Sequence, residues 1–147
     1  MARFRYRMQN ILDVKEKLET QARNEYAQAN MELLEEQEKL KALFEKQKQL
    51  EDMGKELLLS NTLSIREIEN NKLSKTLLKE TMRKQALVIH EAEKNVEKKQ
   101  QAMIELMQER KTHEVLKQRA FEEFLLEEKA QESKEIDELT SYTYGRS

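Results

Sequence analysis

The sequence has no cysteine, no proline and no tryptophan, and only two glycines among 147 residues. Without cysteine there is no disulfide framework and no thiolate metal site, which fits a reducing compartment. Without proline, no position forces a helix to break. Long hydrophobic runs are missing too. The longest aliphatic stretches are "LLL" at 57–59 and "ALVI" at 86–89, well short of the about 18–20 residues of a membrane span. Asp13, Lys15, Glu16 and Lys17 interrupt the segment behind the first arginines, so no signal peptide is expected. Neither sign of charge prevails, with 27 basic and 29 acidic residues for a net −2. Overall charge therefore does not point to nucleic acid. A soluble, cytoplasmic chain is expected.

What the chain does contain is helix-forming and charged. Ala, Glu, Lys, Leu and Arg supply 83 of the 147 residues, and 38% of the chain is charged. That composition marks long helices or coiled coil. It leaves too little apolar surface for a thick globular core, because burial must offset chain entropy. Two long helices sharing one narrow seam need far less.

The opening "MARFRYRMQNILDVKEK" admits two periods. Phe4, Tyr6 and Met8 alternate with Arg5 and Arg7, as on a half-buried strand. Phe4, Met8, Ile11, Leu12 and Leu18 also recur at helical spacing. The helical period continues for more than about fifty residues, so the helix is the expectation, starting near residue 3. Its seam reads Phe4, Met8, Ile11, Lys15, Leu18, Ala22, Tyr26, Ala29, Leu33, Glu36, Leu40, Leu43, Gln47, Leu50, Gly54 and Leu57. The four-plus-four step from Leu18 to Ala22 to Tyr26 reads as a stutter that relaxes the supercoil. A second seam runs Ile68, Lys75, Leu78, Met82, Gln85, Ile89, Ala92, Val96, Lys99, Met103, Leu106, Arg110, His113, Leu116, Ala120 and Phe124. The lysines, glutamines and Arg110 in these seams are tolerated because long side chains bend toward water, at a cost in stability.

Between the two seams, Ser60, Asn61 and Thr62 are turn residues. Ser64 followed by Glu67 reads as a capping box. Gly54 is expected to loosen the first helix, since glycine costs about 1 kcal/mol relative to alanine. The expected fold is all-α: a single long antiparallel two-helix coiled coil. Helix one spans about 3–58, the turn about 59–64 and helix two about 65–140, with a frayed tail at 141–147. A turn centred near 61 makes facing residue numbers sum to about 122. Leu40 then faces Met82, Leu33 faces Ile89, Tyr26 faces Val96, and Leu18 lies near Met103. The paired rod would be about 80 Å long, and the second helix would overhang it by about 30 Å.

No catalytic chemistry is legible. His90 and His113 lie about 35 Å apart along one helix and cannot share a metal. There is no phosphate loop and no nucleophile elbow. The many carboxylate pairs have no enclosed pocket to shift their acidity. No enzyme activity, cofactor or metal is expected. Charge is uneven, however. Arg3, Arg5 and Arg7 meet Arg110, Lys111, Lys117 and Arg119 at the expected open end, beside Phe4, Tyr6, Phe121 and Phe124. The segment Glu122–Glu138 then carries eight acidic and two basic residues. Aromatic and arginine side chains anchor interfaces, so this end reads as a docking end. Basic-plus-aromatic composition also suits single-stranded nucleic acid, but the adjacent acidic segment would repel phosphate. Off the seams lie Leu34, Phe44, Leu58, Leu59, Leu63, Leu73, Leu77, Leu87, Met107, Leu125 and Leu126, a second apolar set available to partners or to self-association.

"FRYRMQNILDVKEKLE" at the start, a proline-free helical middle and "AFEEFLLEEKAQESKEIDEL" near the end resemble the flagellar export protein family FliJ over essentially the whole chain. The resemblance implies a stalk-like component of the flagellar type III export apparatus, acting in flagellum biogenesis and motility. It implies that the termini enter the hexameric export ATPase and that the rod engages the cytoplasmic domain of the export gate. It also implies that the protein escorts export chaperones at the inner face of the cell membrane. ATPase contacts would fall on Phe4, Tyr6, Arg7, Met8, Ile11, Leu12, Phe121, Phe124, Lys129 and Asp137. Gate contacts would fall on Leu43, Phe44, Leu50, Ile68 and Leu73. Where the family often has aromatics early in the second helix, this chain has Ile68, Asn71 and Lys72. The competing readings are a structural coiled-coil scaffold, a non-flagellar type III secretion stalk, and a hairpin bound to a membrane surface through its basic collar.

Overall fold

A computed structural model describes residues 2–62 and 64–145 of the chain. Two helices make up the fold, α1 (Gln9–Leu59) and α2 (Ile65–Gly145). They pack as an antiparallel hairpin in which α1 has 51 residues and α2 has 81. Among the described residues there is no strand. The Ser60 hydroxyl donates to the Thr62 carbonyl at 2.6 Å and accepts from the Thr62 N–H at 3.3 Å, tightening the connection. The Ser64 hydroxyl accepts the Glu67 N–H at 3.4 Å and starts α2. Leu63, in the expected turn, and Arg146 and Ser147, in the expected tail, lie outside the described residues. The helix itself continues to Gly145, beyond the expected end near 140. Helix pairing falls into two compact units, Arg23–Ala102, and Met1–Ala22 with Met103–Ser147.

In the unit Arg23–Ala102, seam positions alternate at spacings of three and four. Tyr26, Leu33, Leu40, Leu43 and Leu50 of α1 are half-buried, as are Ile68, Met82, Ile89 and Val96 of α2, while Ala29 and Leu78 are buried. Apolar burial supplies the attraction, but a repeating seam does not by itself choose a register. Polar groups choose it here. The Asn71 amide donates to the Leu50 carbonyl at 2.9 Å. Fourteen residues on, the Gln85 amide donates to the Glu36 carbonyl at 2.9 Å and to its carboxylate at 2.6 Å. Lys99 reaches Glu25 at 3.4 Å. The first two pairs fall one short of the expected sum of about 122, and the third falls two beyond it. A slip by one heptad would keep a main-chain carbonyl opposite each carboxamide but would take the Glu36 carboxylate away from Gln85 and put a side chain where Gly54 now admits Asn71.

Gly54 does not loosen α1. It lies inside the helix, with no positive φ. Its role is close approach. A Cβ there would meet Asn71 Oδ1 at 2.8 Å and Lys75 Nζ at 3.1 Å. The missing side chain therefore lets Asn71, which is buried, reach across to the Leu50 carbonyl.

The unit formed by Met1–Ala22 and Met103–Ser147 corrects two sequence expectations. First, α1 begins at Gln9 rather than near residue 3. The Gln9 N–H bonds the Tyr6 carbonyl at 3.1 Å, and residues 2–6 carry no regular structure. Phe4 and Tyr6 are half-buried while Arg3, Arg5 and Arg7 are exposed, so the period-two reading describes the burial as far as Arg7, while Met8, its third apolar member, is exposed. Second, the seam has no stutter. Leu12, Lys15, Glu19 and Ala22 are its positions. Leu18, expected in the seam, is 39% exposed, whereas Glu19 is 5% exposed. The reason is a partner. Arg110 of α2 donates through Nε and Nη2 to the Glu19 carboxylate and through Nη1 to Glu114 at 2.8 Å. A paired, hydrogen-bonded carboxylate tolerates a site that an isolated one would not. These bonds, led by that to Glu19, hold Arg110 more firmly protonated. Lys15 pairs with Glu109 at 2.8 Å. Likewise Leu116, expected in the second seam, is exposed, and the stem of Lys117 takes its place.

The register can be tested at Gly54 and at Glu36. Gly54→Ala should lower stability by about 1 kcal/mol, because loss of the Asn71 bond outweighs the helix-propensity gain. In an Asn71→Ala background the same change should stabilise by about 1 kcal/mol; thermal melts of the four chains measure both. The hydrogen bond from Gln85, and then that from Lys39, lower the Glu36 carboxyl below its ordinary value. Its contribution is present above the ordinary carboxylate range and is lost as pH falls through the lowered value. Melts from about pH 6 to about pH 3 should therefore show a shallower acid loss for Glu36→Gln than for the parent chain.

Candidate docking surfaces

In the unit holding both chain ends, the Phe4 ring packs edge-on against Phe121, with centroids 5.1 Å apart at 68°, and tilted against Phe124 at 5.5 Å. Edge-to-face aromatic pairs add about 0.5–1.5 kcal/mol beyond area burial. Residues 2–6 are thus tied to α2 by rings rather than by a helical stripe. Leu12 is buried at 2% exposure, so it supports this end and presents no surface. Met8 and Ile11 are exposed here, as are Val14, Val115, Leu116 and Phe121, with the exposed arginines Arg3, Arg5 and Arg7 close by in sequence. A shallow groove lined by Phe4, Leu12, Glu16, Lys117 and Phe121 opens beside the aromatic cluster. The Tyr6 hydroxyl and His113 Nδ1 are buried without a hydrogen-bond partner among the described residues. Beyond Glu128 every described residue of α2 is exposed, Lys129 and Asp137 included.

In the unit Arg23–Ala102, the five gate candidates separate by exposure. Phe44 is 53% and Leu73 58% exposed. Leu43, Leu50 and Ile68 belong to the seam and are half-buried. Two of them nonetheless line a groove of about 490 Å³ with Met53, Leu77 and Leu78. Ile68 lines a second one, of about 360 Å³, with Leu57, Leu58, Lys55 and Lys72. Met53 and Leu77, both exposed, make the first groove apolar. Leu77 carried a signal as an off-seam leucine, whereas Met53 had none until its neighbours on α2 were known. Groups of three or more acidic, His or Cys residues able to hold a metal are absent among the described residues.

The sequence model described as "Flagellar FliJ protein" matches residues 4–147. The chain belongs to the FliJ family. A curated relative named "Flagellar FliJ protein", from Bacillus subtilis (strain 168), is 28% identical over 137 residues. That alignment spans 93% of this chain and 92% of the relative. No solved structure matches the chain. Membership in the FliJ family marks a flagellar, export-related protein. No helix among the described residues is long and apolar enough to cross a membrane.

The orphan Tyr6 hydroxyl gives a direct test of this end. Tyr6→Phe keeps the ring and removes the unpaired polar atom, so it should leave stability unchanged or raise it by up to about 1 kcal/mol. A marked loss in a thermal melt would mean that the hydroxyl has a partner.

Proposed function

We propose that the chain is a non-catalytic stalk of the flagellar type III export apparatus, docking by its two termini in the hexameric export ATPase. One observation carries the reading: α2 runs on past the Phe4–Phe121–Phe124 cluster as a fully exposed helix. An exposed charged helix next to an aromatic and arginine-rich collar suits insertion into a ring whose lining supplies the missing contacts. Met8, Ile11, Arg7, Lys129 and Asp137 are placed to touch that lining. Phe4, Tyr6, Leu12, Phe121 and Phe124 hold the collar in shape. The gate's cytoplasmic domain meets the other unit, at the exposed Phe44 and Leu73 and through the grooves that reach Leu43, Leu50 and Ile68. Export chaperones are further partners, and the protein works in the cytoplasm at the inner face of the cell membrane.

The test is stimulation of ATPase turnover by the added chain. The Met8→Ala, Ile11→Ala double variant alters exposed residues and should keep its helicity by circular dichroism. It should lose stimulation several-fold, while Leu73→Ala leaves it unchanged. Stimulation equal to the parent's would remove the docking end from the proposal.

A further inference from the structure

Two sets of exposed charges, opposite in sign, make no ion pair among the described residues. The first lies on one side of the unit Arg23–Ala102. Lys41, Lys48 and Lys55 recur every seven residues on α1, as do Lys72 and Lys79 on α2, and all five are exposed. One lysine of each row lines a furrow, Lys55 with Leu58 and Glu51 of α1 and Lys72 with Ile68 and Lys75 of α2; Lys41, Lys48 and Lys79 continue the rows along the helices at heptad spacing. Glu51 and Glu69 are the carboxylates at the corresponding positions, so the side is strongly basic. Exposed Phe44 and Leu58 bracket Lys48 and Lys55, fourteen residues apart, or about 21 Å along the helix.

The second set is the acidic end of α2, with eight acidic and two basic residues between Glu122 and Glu138. Leu125, Glu128, Glu132, Glu135 and Leu139 recur at three and four residues and so share one helix face. Leu125 and Leu139 are exposed and again fourteen residues apart. An apolar–acidic–apolar stripe thus has the length of the apolar–basic–apolar row on α1 that ends in the furrow at Lys55 and Leu58.

We propose that the chain self-associates by laying the acidic end of α2 from one copy into the lysine-bordered furrow of another. Charge and spacing match on both sides, which is the helix-in-groove mode of recognition. The contact joins two different surfaces, so it is heterologous and can propagate beyond a dimer. A furrow accepts protruding side chains such as Leu139, whereas a flat anionic bilayer would leave it unfilled. The same end of α2 is the one proposed to enter the ATPase ring, so one copy makes one contact or the other; sedimentation of the chain alone reads self-association without the ATPase.

Sedimentation velocity of the full chain, up to about 100 µM, tests it. Species heavier than the monomer are expected at about 0.05 M salt and should dissociate at about 0.5 M, where exposed charges are screened. Lys48→Glu/Lys55→Glu/Lys72→Glu should be monomeric at low salt, and so should Glu132→Lys/Glu135→Lys/Glu138→Lys. All six positions are exposed, so both variants should keep full helicity by circular dichroism. Mixing the two in equal amounts should restore the heavier species. A parent chain that stays monomeric at low salt overturns the proposal. If that monomer co-sediments with phosphatidylglycerol vesicles, the furrow faces a membrane instead. Association that persists in either variant, or that fails to return on mixing, also overturns it.

Discussion

The arrangement of the helices depends on polar groups reaching across an apolar seam. A repeating leucine seam attracts at many offsets, each a heptad apart and nearly equal in buried area. The Asn71 and Gln85 carboxamides donate to the carbonyls of Leu50 and Glu36, and what breaks the degeneracy is the side chain beside each: the Glu36 carboxylate, which Gln85 also meets, and the lack of one at Gly54. A main-chain carbonyl has two lone pairs, and the helix uses one, so the cross-helix bond leaves α1 intact. Gly54 belongs to the same device, because a Cβ there would occupy the space of the Asn71 side chain. The residue that costs α1 some propensity is the one that admits its register-setting partner.

The unit with the chain ends uses a different means. Its seam holds an ion pair, Glu19 with Arg110, where a stronger hydrophobic site would otherwise be expected. Breaking one member would leave a buried charge uncompensated, so the pair acts more as a constraint on alternatives than as a source of attraction. The aromatic cluster of Phe4, Phe121 and Phe124 then ties a non-helical lead segment to α2. Rings do this well, since they bury much area while losing few rotors. The result is a collar whose shape is set internally, leaving Met8, Ile11 and the arginines to face outward.

Beyond the collar, α2 runs on as an exposed helix, and its composition reflects this. From Lys129 on, all described residues are exposed and many are acidic. Isolated helices of this length are marginal in water, so such a segment gains most from a partner. Family membership marks a flagellar, export-related protein, and this end of α2 is exposed surface.

The architecture and the tip-side seam were legible in the sequence because a period near 3.5 over many turns is a signal that no single residue can mask. The turn was legible because serine, asparagine and threonine interrupt that period, and Ser64 caps the second helix. Three features were settled by tertiary structure. Near the N-terminus, Ile11 and Leu18 compete with Leu12 and Glu19 for the same stripe, and the alternatives differ by one residue, or about 100° of rotation. Hydrophobicity alone favours Leu18; the structure takes Glu19 because Arg110, more than ninety residues away in the chain, stands opposite. Phe4 fits both a helical stripe and a strand-like alternation, and it lies in a non-helical lead segment where its ring meets Phe121 and Phe124. Gly54 reads locally as a weak point, and its use as a site of close approach appears only once Asn71 is brought against it. Local periodicity thus determined that two helices form and fold back. Contacts between residues distant in sequence decided which face each helix turns inward, because that choice rests on partners that no local window contains.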